Sequence, residues 1–241
     1  MLDPLQIADD RFYALDELTA PNRLSFDHEE MKPFCVYSER MEKIFTRLNH
    51  LALSTAVPLM IKGPTGSGKE MVARFLHYEV DQAPGRYVAV NCTNMNREMF
   101  ESELFGYTRG AFTGASNKGH EGYIRQAGEG TLFLDEISEI DLDIQAKLLR
   151  VLEEGEFYRL GSDKKEKVRA LMIFASNKHM DQMVKKGLLR DDLYYRLNVV
   201  SVDVPGLKDR RDEILPLAEA FIRRYNKHFN KQVRFVQGKV L

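Results

Sequence analysis

The chain is 241 residues long, with 35 Lys and Arg against 36 Asp and Glu, a formal net charge of −1 and 44% hydrophobic residues. This balance fits a soluble enzyme, and no window approaches the roughly 18 to 20 apolar residues that carry a helix across a bilayer, so no membrane role is expected. Asp3, Asp9 and Asp10 stand where a secretory signal would be basic and then apolar, which makes the cytoplasm the expected compartment. Cys35 and Cys92 lack metal-ligand spacing and read as packing residues, and the six histidines form no cluster.

Residues 1 to about 33 carry Pro4, Pro21, Pro33 and scattered acids without a strong period, and read as an extension or linker. The first clear element is the apolar run Val57 to Ile61, a strand, followed by Gly63-Pro64-Thr65-Gly66-Ser67-Gly68-Lys69-Glu70 and then the helical pattern Met71, Val72, Phe75, Leu76. Strand, glycine loop and helix form a phosphate cradle. The glycines let consecutive N–H groups converge on an anion, the helix N-terminus adds a positive dipole end, and Lys69 supplies a mobile charge for the outer phosphates of a nucleoside triphosphate. A plain glycine turn would explain Gly63, Gly66 and Gly68 but not Lys69. Glu70 stands where a magnesium-holding Ser or Thr usually follows the lysine, so the metal must be held chiefly by other groups and the phosphates.

Tyr87 to Val90 reads as a second strand ending at Asn91. Gly110-Ala111-Phe112-Thr113-Gly114-Ala115 has no hydrophobic period, and its two glycines and small residues read as a hinged loop that protrudes with Phe112 and Thr113 at its tip. Thr131 to Leu134 is a third, buried strand delivering Asp135 and Glu136 at its carboxyl end, where open α/β sheets bind ligands. Asp135 would orient magnesium and Glu136 would polarise the attacking water, unless the two acids simply cap the following helix. From Asp141 to Glu154, Leu142, Gln145, Leu148, Leu149 and Leu152 trace a helical face that ends at Gly155. Glu156 to Lys167 is polar. Its mixed run Asp163 to Lys167 reads as a solvated loop, with a nucleic-acid patch as the alternative.

Arg169 to Ser176 is a fourth buried strand ending at Asn177, which would sense the γ-phosphate if its strand neighbours the third; otherwise it is an ordinary turn residue. Val199 to Val204 is a fifth strand, and an amphipathic helix runs from about Asp212 to Phe229 with Pro216 near its first turn. The expected fold is α/β: a doubly wound, five-stranded parallel sheet flanked by helices.

Several of these segments, with Glu103-Leu104-Phe105-Gly106, Leu193 to Asn198 and Leu207 to Ile214, resemble the central AAA+ P-loop NTPase domain of bacterial enhancer-binding proteins, the ATPases that activate RNA polymerase carrying sigma-54. The resemblance covers about residues 35 to 241 and its most specific element is the hexad Gly110 to Ala115. It implies ATP and Mg2+ as ligands, with Gly63 to Glu70 binding nucleotide and Asp135 serving the metal. It also makes Phe112 and Thr113 the main sigma-54 contacts and Asn91 a switch for Glu136. Arg190 and Arg196 would reach a neighbouring subunit's ATP site, which implies a head-to-tail homo-oligomer, by analogy a hexameric ring. Otherwise these arginines are surface ion pairs with Asp191 or Asp192.

By this resemblance residues 34–206 form the ATPase subdomain and 207–241 only the start of a helical lid, with DNA engaged indirectly. The expected function is coupling ATP hydrolysis to remodelling of the closed promoter complex. An alternative is a nucleotide-dependent sigma-54 or self-association module with little hydrolysis, and a third is an AAA+ ATPase acting on another protein or on RNA.

Overall fold

The computed structural model describes residues 12–14, 24–28, 31–51, 57–80, 85–94 and 96–237. The chain divides into two compact units, Leu48–Val204 and Met1–Arg47 with Pro205–Leu241.

Among the described residues of the unit Leu48–Val204, five strands form the main sheet: β1 (Leu59–Lys62), β2 (Tyr87–Asn91), β3 (Thr131–Asp135), β4 (Leu171–Ser176) and β5 (Val200–Asp203). Every pairing is parallel and the order across the sheet is β5-β1-β4-β3-β2. The chain therefore runs from β1 to the far edge and returns through β3 and β4. The central strands have the continuous apolar sequence that burial on both faces demands, and all six residues of β4 are buried. Because β1, β4 and β3 are successive neighbours, their carboxyl ends open onto one crevice, the usual ligand position in such sheets.

Among the described residues of this unit, six α-helices accompany the sheet: α1 (Lys69–Phe75), α2 (Arg97–Phe105), α3 (Tyr123–Ala127), α4 (Leu142–Glu154), α5 (Met180–Lys185) and α6 (Asp191–Leu197). Side chains from α2 through α6 share one buried cluster with Met60, Leu132, Leu134, Met172 and Phe174 of the strands. Local capping residues start and stop the helices. Asn96 caps α2 by accepting the Met99 N–H at 2.9 Å, and Gly155 ends α4 in the left-handed conformation, its N–H donating to the Val151 carbonyl.

Two expectations change. Leu142, read as part of the buried face of α4, is exposed, because the helix only begins there and its buried stripe starts with Ile144 and Gln145. The mixed run Asp163 to Lys167, read as a solvated loop, includes a short strand, Lys165–Lys167, that pairs with Glu156–Tyr158 as a hairpin. Phe157 is buried in the hydrophobic cluster while Lys165 and Lys167 are exposed, so one apolar anchor holds an otherwise polar ribbon whose hydropathy resembles that of a loop.

The other unit contains an antiparallel pair, Leu24–His28 with Met31–Val36, a helix Glu39–Asn49 that continues past its boundary, and the helix Ile214–Phe229. Glu213, 2% exposed, accepts the Ser38 N–H at 3.0 Å and the Arg210 guanidinium at 2.6 Å, so it fastens two sequence-distant segments. Of the segment 1–33 read as an extension, only 12–14, 24–28 and 31–33 are among the described residues.

Phe174 sits with no exposed surface in the most central of the five strands. Phe174→Ala should lower unfolding free energy by about 3–5 kcal/mol, the usual range for emptying such a site, read as a reduced urea midpoint with an unchanged slope.

Candidate functional site: a triphosphate cradle and a glycine-turn loop

The phosphate loop leaves β1 and returns into α1. Gly66 and Gly68 take positive φ values of 76° and 95°, and a Cβ at either would meet nothing within 4 Å. They thus expose backbone amides to open space in a conformation that other residues adopt only at a cost. At Gly63 the constraint is steric instead: a Cβ there would lie 2.4 Å from the Val204 carbonyl oxygen, so only glycine lets the loop start against the end of β5. Lys69, the first residue of α1, is 6% exposed, and its Nζ donates to the Gly63 carbonyl at 3.2 Å.

Glu136 follows directly after β3 with φ 54° and ψ 47°, a left-handed conformation that costs a non-glycine residue roughly 1–3 kcal/mol and collects at functional sites. Asp135 Oδ1 accepts the Glu136 N–H at 2.9 Å, which helps hold that turn. The Glu136 carboxylate then meets the start of α1 and the end of β4: Oε1 lies 3.6 Å from Lys69 Nζ, and Oε2 accepts the Asn177 N–H at 3.2 Å. Asn177 Nδ2 in turn donates to Thr65 Oγ1 at 2.8 Å. A closed circuit results, from the phosphate loop at Gly63 through Lys69, Glu136 and Asn177 back to the phosphate loop at Thr65.

These residues fit a nucleoside triphosphate, with open amides, a buried lysine and an acid aimed at the lysine. Glu70 points its charge elsewhere, because Arg74 Nε and Nη2 both donate to Glu70 Oε1, at 2.9 and 2.8 Å. Among the described residues no group of three or more His, Cys, Asp or Glu side chains could hold a metal alone. A divalent cation at Asp135 would therefore draw its remaining ligands from phosphate and water.

The other candidates lie apart from this circuit. Asn91 is opposite Asp135 in the sheet register, but its Oδ1 accepts the N–H and the hydroxyl of Thr93, at 2.9 and 2.6 Å, rather than engaging Glu136. Arg190 precedes α6 and forms a two-pronged pair with Asp192 at 3.1 and 2.8 Å; that hydrogen bond holds the Asp192 carboxyl below its ordinary pKa and raises that of the guanidinium. Arg196 is engaged at the end of a helix. Its Nε and Nη2 donate to the Leu152 carbonyl, at 3.1 and 2.7 Å, at the carboxyl end of α4, where helix carbonyls favour a cation. Cys92 is buried, and desolvation pushes its thiol up to about 12, in keeping with a packing role.

The hexad is built from tandem turns. Ala111 N–H donates to the Thr108 carbonyl and Ala115 N–H to the Phe112 carbonyl, at 3.2 and 3.1 Å, and Gly110 and Gly114 occupy the third position of each turn with φ 75° and 92°. A positive φ at that position is what selects glycine, which explains both glycines and their spacing. Phe112 is 47% exposed and rests edge-on against Tyr107 at 5.0 Å; Thr113 is exposed beside it.

The neighbouring hairpin supports the base of this loop, through contacts that no local sequence pattern specifies. Thr108 N–H donates to the Leu160 carbonyl and its hydroxyl to the Gly161 carbonyl, both at 3.0 Å. Gly161, at φ 73°, packs so closely that a Cβ would stand 2.8 Å from both Cα and Cβ of Ala111. Its signal in the sequence was only a glycine following Leu160 in a polar stretch. Gly161→Leu combines a left-handed backbone cost of about 1–2 kcal/mol with that collision. It should speed amide hydrogen exchange at Thr108, Ala111 and Ala115 at least tenfold while β3 and β4 stay protected.

Residues 34–203 match the sigma-54 interaction domain family. Among curated relatives, the chain is 44% identical over 183 residues to the regulatory protein AtoC of Escherichia coli (strain K12), covering 76% of this chain and 39% of AtoC. It is 41% identical over 217 residues to the DNA-binding transcriptional regulator NtrC of Rhizobium meliloti (strain 1021), covering 90% of this chain and 44% of NtrC. The crystal structure of NtrX from Brucella abortus in complex with ADP superposes with a TM-score of 0.73 at 33% identity, over 82% of this chain and 42% of that one. The chain thus spans well under half the length of each of these three proteins. With the five-stranded parallel sheet and its glycine loop in place, the chain belongs to the AAA+ P-loop domains of sigma-54-dependent transcriptional activators.

Proposed function

We propose that this domain binds ATP with Mg2+ and hydrolyses it to ADP and phosphate, and that the cycle drives Phe112 and Thr113 against sigma-54 to remodel the closed promoter complex. The observation that carries this reading is the exposed Phe112-Thr113 apex, set on two glycine turns in the same unit as the Lys69–Glu136 circuit. Binding would place the outer phosphates on the loop amides from Gly63 to Lys69 and take over the Lys69 ammonium. Glu136, left with the Asn177 N–H, would accept a hydrogen bond from water and polarise it for in-line attack on the γ-phosphorus. Asn177, tied to Thr65, is suited to register whether that phosphate is present, and Asn91 would hold Glu136 in another nucleotide state. A divalent cation at Asp135 would neutralise charge on the phosphate oxygens.

Arg190 and Arg196 complete a neighbour's site in this reading, within a head-to-tail homo-oligomer that closes as a ring. A guanidinium placed there is worth roughly 10³ to 10⁵ in rate for related phosphoryl transfer. A second reading, a nucleotide-dependent binding module with little hydrolysis, draws support from the engagement of both arginines within the single chain. Residues 207–241 would begin the helical lid.

Co-sedimentation with purified sigma-54 tests the proposal. Binding should appear with a transition-state mimic of ATP and fall at least tenfold in Thr113→Ala; equal binding by the variant, or none by the wild type, would overturn it.

A further inference from the structure

We infer that Gln145 is a positioning residue that locks the arginine segment 188–196 to the acid-bearing loop after β3, so that a protomer's own nucleotide site sets the placement of the arginines it offers to its neighbour. This rests on the reading of Arg190 and Arg196 given above.

Gln145 lies on α4 with no exposed surface. Its amide nitrogen donates to the Ile140 carbonyl at 2.9 Å and to the Leu188 carbonyl at 3.0 Å, while its amide oxygen accepts the Arg190 N–H at 2.9 Å. Both donors and the acceptor are thereby used. A fully satisfied buried polar group specifies one arrangement of the segments it joins, since any slip strands backbone groups away from water.

The segments joined are what give this bond a role beyond packing. Ile140 lies four residues after Glu136 across the tight turn Ile137–Glu139, whose Glu139 N–H donates to the Glu136 carbonyl at 3.0 Å. Leu188 and Arg190 lie downstream of Asn177, beyond α5, and the Leu188 N–H donates to the Met183 carbonyl at 3.0 Å. Glu136 and Asn177 already touch at the nucleotide site. The carboxyl-end extensions of β3 and β4 therefore meet twice, once at the site and once at Gln145, and the second meeting fixes the backbone of Arg190. Arg196 is held to the same helix at its other end, through the Leu152 carbonyl. Helix α4 is thus a rod carrying both arginines, and Gln145 joins its start to the acids.

Steady-state ATP hydrolysis by the 241-residue chain tests this, with nucleotide Kd and melting temperature measured in parallel for wild type, Arg190→Ala, Gln145→Met and the double variant. Gln145→Met should lower kcat about 10- to 100-fold, as displaced catalytic groups do, with Kd within about twofold of wild type. Combined with Arg190→Ala it should add little further loss, because it acts through that residue. A folded Gln145→Met with full kcat, or the same fold-loss in both backgrounds, would overturn the positioning role alone. If Gln145→Met does not fold, Gln145→Asn decides: its shorter amide cannot reach all three partners, so kcat should fall with Kd unchanged and add little to the loss in Arg190→Ala, and a full kcat or an equal fold-loss in both backgrounds would overturn the role. An Arg190→Ala chain at wild-type kcat, or a wild type that binds ATP without hydrolysing it, would remove the arginine role and this inference with it.

Discussion

The rest of the structure depends on an ammonium and a carboxylate held at the carboxyl end of an apolar sheet, Lys69 Nζ and Glu136 Oε1 at 3.6 Å, with both residues over nine-tenths buried. Each charge taken from water costs several kcal/mol, which mutual attraction offsets only with good geometry and further hydrogen bonds. Those bonds come from the Gly63 carbonyl on one side and the Asn177 N–H on the other. The adjacency of β1, β4 and β3 is therefore more than packing: another strand order would leave a buried charge without its partner. The same arrangement explains why Glu136 tolerates a left-handed backbone, since its carboxylate must turn back across the strand ends.

A pair held this way is suited to exchange. An incoming phosphate offers Lys69 a stronger partner than the carboxylate, and the carboxylate that loses its cation is left beside Asn177 and Thr65. From the end of β3 the chain turns through Ile140 into α4, to which the arginines at 190 and 196 are fastened. In the same unit, the glycine-turn loop is braced by the Leu160-Gly161 tip of the hairpin that follows α4. The candidate nucleotide site and the arginine segment thus share α4 as a common neighbour in space, and the hairpin that follows it braces the loop bearing Phe112.

Much of this was legible in the sequence because the signals are local. Five apolar runs give five strands, glycine spacing gives the phosphate loop, and Gly110 and Gly114 mark turns whose backbone only glycine adopts cheaply. What stayed hidden depends on pairings between distant residues. Strand order is not a local property, so whether Asn177 lay beside Glu136 could be stated only conditionally. Gln145 reads as one more member of a helical face, although a glutamine among leucines signals a buried polar group in need of partners. Asn91 and Arg196 carry side chains that several acceptors and donors could satisfy, and their choice of Thr93 and the Leu152 carbonyl follows from the fold. The strands at 24–28 and 31–36 carry too little alternation to stand out.

The central claim is that Glu136, poised against Lys69, prepares water for attack on bound ATP. The most direct measurement compares ATP affinity and steady-state hydrolysis in wild type and Glu136→Gln, an isosteric change that removes the charge and the base. The account predicts ATP binding at least as tight as wild type with hydrolysis about 10²- to 10⁴-fold slower, the usual worth of a positioned general base. Hydrolysis at the wild-type rate in Glu136→Gln would contradict it.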